Sequence, residues 1–442
     1  MVHAARMSVT HPTDTLVHPR VDAAEKSPAP ARTVVADRTV FEAITLSLHD
    51  DLETLKADWR AFEETADCTV FQTYAWQSLW RKHIGAPSGS QPVIVVGRES
   101  NRILFIIPLA IERGRVARTL TWHAGDLCDY NGPLLAPDFG SIVDDQRFVS
   151  LYRSIGAMLA REPRFAYDRV TFDKMTGTIG NQAHPFLALG TSLNPSGAYA
   201  THLAGNWDAF YMEKRSSATR RRDRTKRKRL GDIGEVRFVT ASDTAEIREN
   251  FDSLVEQKTC QLRAIGAEDL FARPGFSAFF LELATDPETR HLVHISELDV
   301  GSLAAATNLG VMFRGRYYHI LAAYDAGPAA RFGPGAAHLH DLMRYAIEQR
   351  CTVFDFTIGD EPYKREWSDI VMPLHDHRSA ATLIGLAVLA PTLAAIRAKR
   401  FIKRTPVLFA LAKRARAWLA VWQGRAKQPV VKSDEGDEAQ IF

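Results

Sequence analysis

The stretch YYHILAAYDAGPAARFGPGAAHLHDLMRY, residues 317–345, decides the fold. Its aromatic and apolar start predicts a strand, RFGPG at 331–335 predicts a tight loop, and the apolar stripe after it predicts a helix over 336–350. Glycines let a backbone approach a ligand closely, and the first amides of a helix have no acceptor inside the helix. This order of elements indicates an anion-binding site in which Arg331 supplies positive charge. A plain turn before a well-started helix also fits, because proline is common at the first helical position.

A second segment, VFDFTIGDEPYKREW at residues 353–367, predicts a buried strand followed by a short helix. If this strand is a parallel neighbour of the one before the loop, its carboxyl end presents Asp360, Tyr363 and Lys364 beside the loop. Tyr363 is then a candidate acid for a leaving thiolate, Asp360 or Asp355 is a candidate base for an attacking amine or hydroxyl, and Lys364 is a further candidate catalytic residue. A structural role competes with these assignments, since Asp360 could cap the helix and Lys364 could pair with it at i,i+4.

The remaining sequence predicts a similar order of elements in each half of the chain, with no short-period repeat. A stretch rich in Gly, Asn, Pro, Ser and Thr, residues 176–205, predicts the connection between the halves. In the first half we expect strands at 40–48, 92–97, 102–112, 119–122 and 168–174, and helices at 51–65, 74–83 and 144–161. In the second half we expect a basic helix ending near 230, strands at 235–240, 291–298, 302–313, 316–324 and 351–358, and helices at 246–263, 274–284, 336–350 and 362–367.

The composition is that of a soluble globular protein and excludes disorder throughout the chain, because 46% of the 442 residues are apolar and 24% are charged. The net charge of +3 gives no reason to expect general nucleic-acid binding. Four distant cysteines without a C-x-x-C pair indicate neither a disulfide framework nor a zinc site. The pairs His338/His340 and His375/His377 lack the i,i+4 spacing of a helical zinc pair, so we predict no metal. The N-terminus has no apolar segment behind a basic start, and we expect a cytoplasmic location.

Positive charge is concentrated in two segments. Residues 214–229 hold ten basic residues and one acid, Asp223, for a net charge of +9, which is too repulsive for a buried helix. This run must face solvent, a phosphate-bearing ligand or an anionic polymer. Residues 397–427 hold ten basic residues and no acid, with Trp418 and Trp422 among apolar residues at helical spacing. Such a helix could lie on an anionic membrane surface, and packing against a partner is the alternative.

Together, FQTYAWQSLW and DYNGPLLAP in the first half and AAYDAGPAARFGPGAAHLHDLMRYA and FDFTIGDEPYKREW in the second resemble the GNAT acyltransferase superfamily. The resemblance is to the acetyltransferase domain associated with bacterial cellulose and exopolysaccharide biosynthesis, which is related to the Fem aminoacyltransferases. It implies an α/β (α+β) fold of two tandem GNAT-like units, with mixed, mostly antiparallel sheets flanked by helices, and a basic amphipathic helical tail. It also implies that Tyr363 stands where many GNAT enzymes place a tyrosine, and that the pyrophosphate of acyl-CoA is held by Arg331, Phe332, Gly333, Pro334 and Gly335.

The resemblance also predicts how the chain is divided and what it does. The implied activity is direct transfer of an acyl group from acetyl-CoA or another acyl-CoA, without a metal, to an amine or hydroxyl. The acceptor would be a cell-envelope, exopolysaccharide or cellulose precursor. The expected divisions are a disordered extension at 1–38, a degenerate GNAT-like unit at 39–200, the acyltransferase domain at 201–380, and a basic helical region with an acidic tail at 381–442.

Two other functions stay open. A Fem-like aminoacyltransferase would use aminoacyl-tRNA and contact its phosphates through residues 214–229. A non-catalytic accessory protein of polysaccharide synthesis would keep the fold without binding a donor. We also expect peripheral attachment to the inner membrane through residues 397–427. Four aromatic residues of the first half could stack on a sugar, although burial is commoner for such residues; they are Trp76, Trp80, Trp122 and Tyr130.

Overall fold

The structure, a computed structural model, describes residues 36–391, with side chains from residue 39 onward. Most of the extension predicted at 1–38 and all of the segment predicted to bind membranes at 397–427 lie outside the described residues. The first strand begins at Ala36, slightly before the start expected for the first unit.

Two runs of helices and strands make up this part of the chain, joined in places by short 3₁₀ and π turns. The first run contains β1 (Ala36–Phe41), β2 (Ile44–His49), α1 (Lys56–Glu63), α2 (Tyr74–Trp80), β3 (Gln91–Glu99), β4 (Arg102–Arg113), β5 (Arg118–Trp122), β6 (Leu134–Leu135), α3 (Phe139–Ile142), α4 (Asp145–Arg161), β7 (Arg169–Met175), β8 (Thr178–Ile179), β9 (Gln182–Ala183) and β10 (Ser192–Leu193). The second run contains β11 (Ala198–His202), α5 (Trp207–Lys214), α6 (Ser217–Gly231), β12 (Val236–Thr240), α7 (Thr244–Ala264), α8 (Phe276–Thr285), β13 (Val293–Val300), β14 (Leu303–Phe313), β15 (Arg316–Tyr324), α9 (Pro334–Glu348), β16 (Val353–Ile358), α10 (Pro362–Trp367), β17 (Ile370–Met372) and β18 (His375–Ala380).

Two mixed sheets organise these elements, which confirms the mixed α/β fold expected from the sequence. The first sheet has the order β1-β2-β3-β4-β5-β7-β18-β10, with β6 beside β4, and the second has the order β12-β13-β14-β15-β16-β11-β17. Most neighbouring strands are antiparallel, but β5 and β7 are parallel, and so are β15 and β16. Parallel neighbours need a crossover, which contains α4 in the first sheet and α9 in the second.

The two sheets exchange one strand each. β11 follows the first run of strands but lies in the second sheet, between β16 and β17. β18 follows the second run but lies in the first sheet, between β7 and β10. Sequence analysis missed both strands. A single cut near residue 200 therefore cannot separate the sheets, and the unit bounds at 39–200 and 201–380 stay a prediction.

Aromatic side chains join the first half of the chain to the second. Trp76 of α2 packs edge-on against Phe71 and against Phe279 of α8, each at a centroid distance of 5.0 Å. Burial of a large aromatic ring removes about 150–250 Å² from water, which favours this packing strongly. The sugar-stacking hypothesis is wrong, because its four residues are at most 3% exposed; they are Trp76, Trp80, Trp122 and Tyr130.

The helices of the second half place the basic run beside the loop at 331–335. α9 packs on β13, β14 and β15 through a face that buries Leu339, Leu342 and Met343. α5 and α6 in turn pack on α9. α6 is polar almost throughout, and its start is stabilised by Ser216, whose hydroxyl accepts a hydrogen bond from Thr219 N at 3.2 Å.

Candidate active site

The parallel strands β15 and β16 separate at their carboxyl ends. They are paired only over residues 316–318 and 353–355, although β15 continues to Tyr324 and β16 to Ile358. The other neighbour of β16 is β11, which runs antiparallel to it. Two central strands thus leave a gap at the edge of the sheet where open α/β folds bind ligands.

Side chains of α7 reach the β15 side of this gap. Lys258 Nζ donates to Ala322 O at 2.8 Å, and Gln261 Nε2 donates to Tyr324 O at 3.1 Å. Both carbonyls belong to the part of β15 that has left β16, where side-chain donors can satisfy backbone acceptors. Burial lowers the pKa of Lys258. The gap is therefore polar on this side.

The loop at 331–335 leads into α9, which begins at Pro334, two residues before its predicted start. Gly333 has φ 67° and ψ 57°, a left-handed conformation that glycine adopts without strain. Ala337 N donates to Gly333 O at 3.1 Å as the helix begins. The amides of Gly335 and Ala336 come before Ala337 in the first turn of the helix. Together with the helix dipole, they form a positive site suited to phosphate.

A pocket of about 170 Å³ opens beside this helix start, between α5, α6 and α9. Lys226 of α6 reaches the loop, since its Cδ lies 3.9 Å from the position that a Cβ on Gly333 would occupy. Arg331 is exposed, and its guanidinium carbon lies 4.7 Å from the ring centroid of Phe332. The positive charge near the loop thus comes from the basic run as well as from Arg331. Four cationic side chains line the pocket: Arg224, Lys226, Arg227 and Arg344.

Specific contacts hold α6 in this position. Arg227 Nη1 donates to Asp341 Oδ2 at 2.8 Å. Asp341 is buried, which raises its pKa, while the charge of Arg227 opposes the shift. Tyr211 Oη donates to Asp223 Oδ2 at 2.7 Å, so both acids of the pocket have partners. One side of the predicted basic run is therefore fixed at a pocket, and its other side remains exposed.

The junction between β16 and α10 carries Tyr363 and Asp360. Tyr363 is 6% exposed, and its ring centroid lies 6.1 Å from that of Phe356. Burial and the negative charge of Glu361 raise the pKa of Tyr363, so its phenol stays protonated at neutral pH. Asp360 is exposed and accepts a hydrogen bond from Tyr199 Oη at 2.9 Å. It does not cap α10, because the N-cap position belongs to Glu361.

Lys364 ties the start of α10 to the end of β16. The side chain is buried, and its Nζ donates to Ile358 O at 2.6 Å and pairs with Glu361 Oε2 at 3.1 Å. Lys364 therefore pairs with Glu361 and not with Asp360, the partner considered from the sequence. Asp360 Oδ1 instead lies 3.4 Å from Arg365 Nη2. These contacts favour a structural role for Lys364.

Asp355 connects the two halves of the chain. The residue is fully buried, and its carboxylate accepts hydrogen bonds from Tyr130 Oη at 2.6 Å, Arg316 Nη1 at 2.7 Å and Thr357 N at 2.8 Å. Burial raises the pKa of Asp355, and the charge of Arg316 opposes the shift. With both oxygens engaged and no exposed surface, Asp355 fits an anchoring role rather than the role of a base. Asp360 is the remaining carboxylate candidate.

Thr357 holds an uncommon backbone conformation beside this anchor. Its φ is 62°, which is rare for a β-branched residue, and its side chain is buried. The hydrogen bond from its amide to Asp355 helps to hold this conformation. Strained residues of this kind cluster at functional sites. Nothing in the sequence pattern distinguished Thr357 from an ordinary strand residue.

Comparison with known proteins identifies the fold around this site. Residues 217–365, from α6 into α10, match the acetyltransferase (GNAT) domain family. Over this range the chain has the fold of a GNAT domain. The crystal structure of FemX is similar with a TM-score of 0.52 at 11% identity, over 73% of this chain and 95% of FemX. A tandem GNAT protein from the clavulanic acid biosynthesis pathway gives 0.39 at 11% identity, over 76% of this chain and 98% of that protein. No curated protein sequence matches the chain.

The match to the GNAT domain supports acyl transfer in general, and the matched range contains candidate site residues that the sequence analysis missed. The matched range includes the splayed strands, the helix start at Gly333 and the junction at Tyr363. It also includes α6, whose Lys226 lies at the loop although more than 100 residues separate them in sequence. In the sequence, only the charge of the basic run at 214–229 pointed to Lys226 as a candidate for anion binding. Nothing in the sequence marked Lys258 as a candidate site residue beyond its position on a predicted amphipathic helix.

Proposed function

We propose that the chain is an acyl-CoA-dependent N- or O-acyltransferase, with acetyl-CoA as its donor, that acts directly on a cell-envelope, exopolysaccharide or cellulose precursor. The observation that carries this proposal is the helix start at Gly333, which adjoins the gap between β15 and β16. A pyrophosphate held by the amides of Gly335 and Ala336, with Lys226 beside it, leaves the thioester arm of the donor free to enter the gap.

The proposed transfer is a direct displacement at the thioester carbonyl. The acceptor nitrogen or oxygen forms the new bond to the acyl carbon, and the carbon–sulfur bond breaks with its electron pair on the thiolate. Tyr363 donates the proton that the thiolate takes, and Asp360 accepts the proton that the acceptor loses. Burial raises the pKa of three of the four thiols, which makes them poor nucleophiles for a covalent intermediate; these are Cys68, Cys128 and Cys351.

Calorimetric titration of the full chain with acetyl-CoA and longer acyl-CoAs tests the donor. We expect Gly335→Val to weaken acetyl-CoA binding by about tenfold or more, or at least about 1.4 kcal/mol. A branched side chain at the helix start obstructs the approach of phosphate to the amides. Gly177→Val is the matched control, because nothing lies within 4 Å of its Cβ position. We expect Arg331→Ala to have a smaller effect, since Arg331 is exposed.

The same titration can also contradict the donor assignment. If folded wild-type protein binds none of the acyl-CoAs, the donor assignment is wrong. Binding of aminoacyl-tRNA with a steep salt dependence would then support the Fem-like alternative. Binding of neither ligand would favour the accessory role.

We propose in addition that the chain attaches to an anionic membrane surface. Among residues 36–391, no helix combines the length and the apolar character needed to cross a bilayer. The helix that starts at residue 383 nevertheless exposes apolar side chains, with Leu383 at 85%, Ile384 at 51% and Leu386 at 52%. In sequence it leads to the ten basic residues of 397–427, and apolar side chains next to basic ones favour binding to anionic lipid.

Sedimentation of the full chain with lipid vesicles tests this attachment. We expect binding to phosphatidylglycerol vesicles, little binding to phosphatidylcholine vesicles, and a several-fold loss for the double variant Leu383→Asp/Leu386→Asp. Val116→Asp is the control, because Val116 is also an exposed apolar residue, at 73%, and lies in the first half. Equal binding to both kinds of vesicle, or to neither, would show that the attachment is not of this type.

A further inference from the structure

The pocket between α5, α6 and α9 is lined by both aromatic and cationic side chains. Trp207 and Tyr211 of α5 stack with a centroid distance of 5.0 Å and an interplanar angle of 14°. Arg344 of α9 lies over the Trp207 ring at 5.5 Å. Opposite them, α6 contributes Arg224 and Lys226. The pocket therefore offers an aromatic wall and a cationic wall around a space of about 170 Å³.

The charges of this pocket are not cancelled within it. Its two acids are engaged, Asp341 by Arg227 at 2.8 Å, and Asp223 by the hydroxyl of Tyr211 at 2.7 Å and by the charge of Arg215 at 3.9 Å. Arg224 and Lys226 form no ion pair with any residue in the described range 36–391. These two cations of α6 thus remain for an anionic ligand, and Arg344 adds a third positive charge to the lining. Contacts of a phosphate with such cations are charge-assisted hydrogen bonds, roughly twice as strong as neutral ones.

The pocket is continuous with the helix start at which we place the pyrophosphate. Gly333 and Ala336 line it, and Lys226 reaches the loop from the α6 side. The face of α9 toward the pocket has small side chains, with Ala336 and Ala337 followed by His340 one turn later. A ligand whose pyrophosphate occupies the helix start can therefore extend along this face toward the stacked rings of α5.

We propose that this pocket receives the phosphorylated adenosine end of the donor, with the 3′-phosphate against Arg224 and Lys226 and the purine against the aromatic wall. The inference rests on the proposed acyl-CoA function. It adds that α6, the basic helix that precedes β12, makes the enzyme select donors that carry a 3′-phosphate. It also gives the basic run a role beyond that of a solvated surface.

Calorimetry with acetyl-CoA and with acetyl-3′-dephospho-CoA tests this selection. For the wild type we expect acetyl-CoA to bind about tenfold tighter or more, from two charge-assisted contacts. The double variant Arg224→Ala/Lys226→Ala should bind both donors about equally, at an affinity close to that of the wild type for the dephospho form. The control Arg221→Ala/Arg222→Ala removes the same charge from exposed positions of α6 outside the pocket, and it should keep the full difference.

The outcomes separate this inference from the proposed function. If wild-type protein binds both donors equally well, the donor function stands and the pocket inference is wrong. If the difference survives in Arg224→Ala/Lys226→Ala, or disappears in the Arg221/Arg222 control, the 3′-phosphate is recognised elsewhere or only through net charge, and the inference is again wrong. If neither donor binds to folded wild-type protein, the proposed function itself fails. Thermal unfolding of each variant verifies that it is folded.

Discussion

Tyr363→Phe is expected to lower kcat by about 10²-fold or more with little change in KM, which is the usual scale for loss of a general acid. Burial and the nearby carboxylate of Glu361 raise the pKa of the phenol, so the proton is present throughout the neutral range. Phenylalanine keeps the ring that packs against Phe356 and removes only the hydroxyl. The measurement is release of the CoA thiol from acetyl-CoA, with glucosamine and other aminosugars as acceptor probes.

The control for this variant is Tyr152→Phe. Tyr152 lies in α4 of the first half, and burial raises its pKa as well, but it has no place in the proposed site. Its activity should equal that of the wild type. A kcat of Tyr363→Phe within twofold of the wild type would remove Tyr363 as the acid and would indicate that solvent protonates the thiolate.

Asp355→Ala is expected to destabilise the fold by about 3–5 kcal/mol, because it leaves Arg316 without its partner in a largely buried site. The change also removes the acceptor of Tyr130 Oη, the contact that joins the halves of the chain. Urea unfolding followed by tryptophan fluorescence measures the loss. Asp355→Asn keeps the shape of the side chain and one acceptor oxygen, so we expect a smaller loss from it.

Glu268→Ala provides the matched comparison for this anchor. Glu268 pairs with Arg273 at 3.0 Å on the surface, where solvent screens the interaction, and its removal should leave the unfolding midpoint almost unchanged. A loss below about 1 kcal/mol for Asp355→Ala would mean that the buried charge is solvated or replaced after mutation. The anchoring role would then be untenable.

The long elements of the fold were predictable because each has its own periodic signal. The apolar runs of β3 and β4 and the apolar stripe on α4 can be recognised from their own residues alone. β11 and β18 carry no such signal. β18 reads HDHRSA, a polar sequence whose strand conformation depends on pairing with β7, about 200 residues earlier. Tertiary contacts decide such strands, and local sequence does not record them.

In the candidate site, too, local features were predictable from the sequence and contacts between distant residues were not. The Gly-Pro-Gly motif correctly indicated a helix start, because that property is local. Asp355 was proposed as a base because its position in the strand was visible in the sequence, whereas its donors were not. Tyr130 lies 225 residues away in the chain, and Arg316 lies 39 residues away. A carboxylate that fills its hydrogen-bonding capacity through distant residues cannot be told from a free one by local pattern.

The strand exchange has a consequence for how the protein is made. β7 and β10 leave the ribosome early, but β18, which lies between them, is among the last parts of the described chain to appear. At about 5–20 residues per second, synthesis from Leu193 to Ala380 takes roughly 10–40 s. During that time the nascent first sheet presents unpaired strand edges, which are prone to aggregation. Ribosome-associated chaperones thus have a defined interval in which to protect the nascent sheet. A transcript truncated before codon 375 yields a chain that lacks β18 and cannot complete its first sheet.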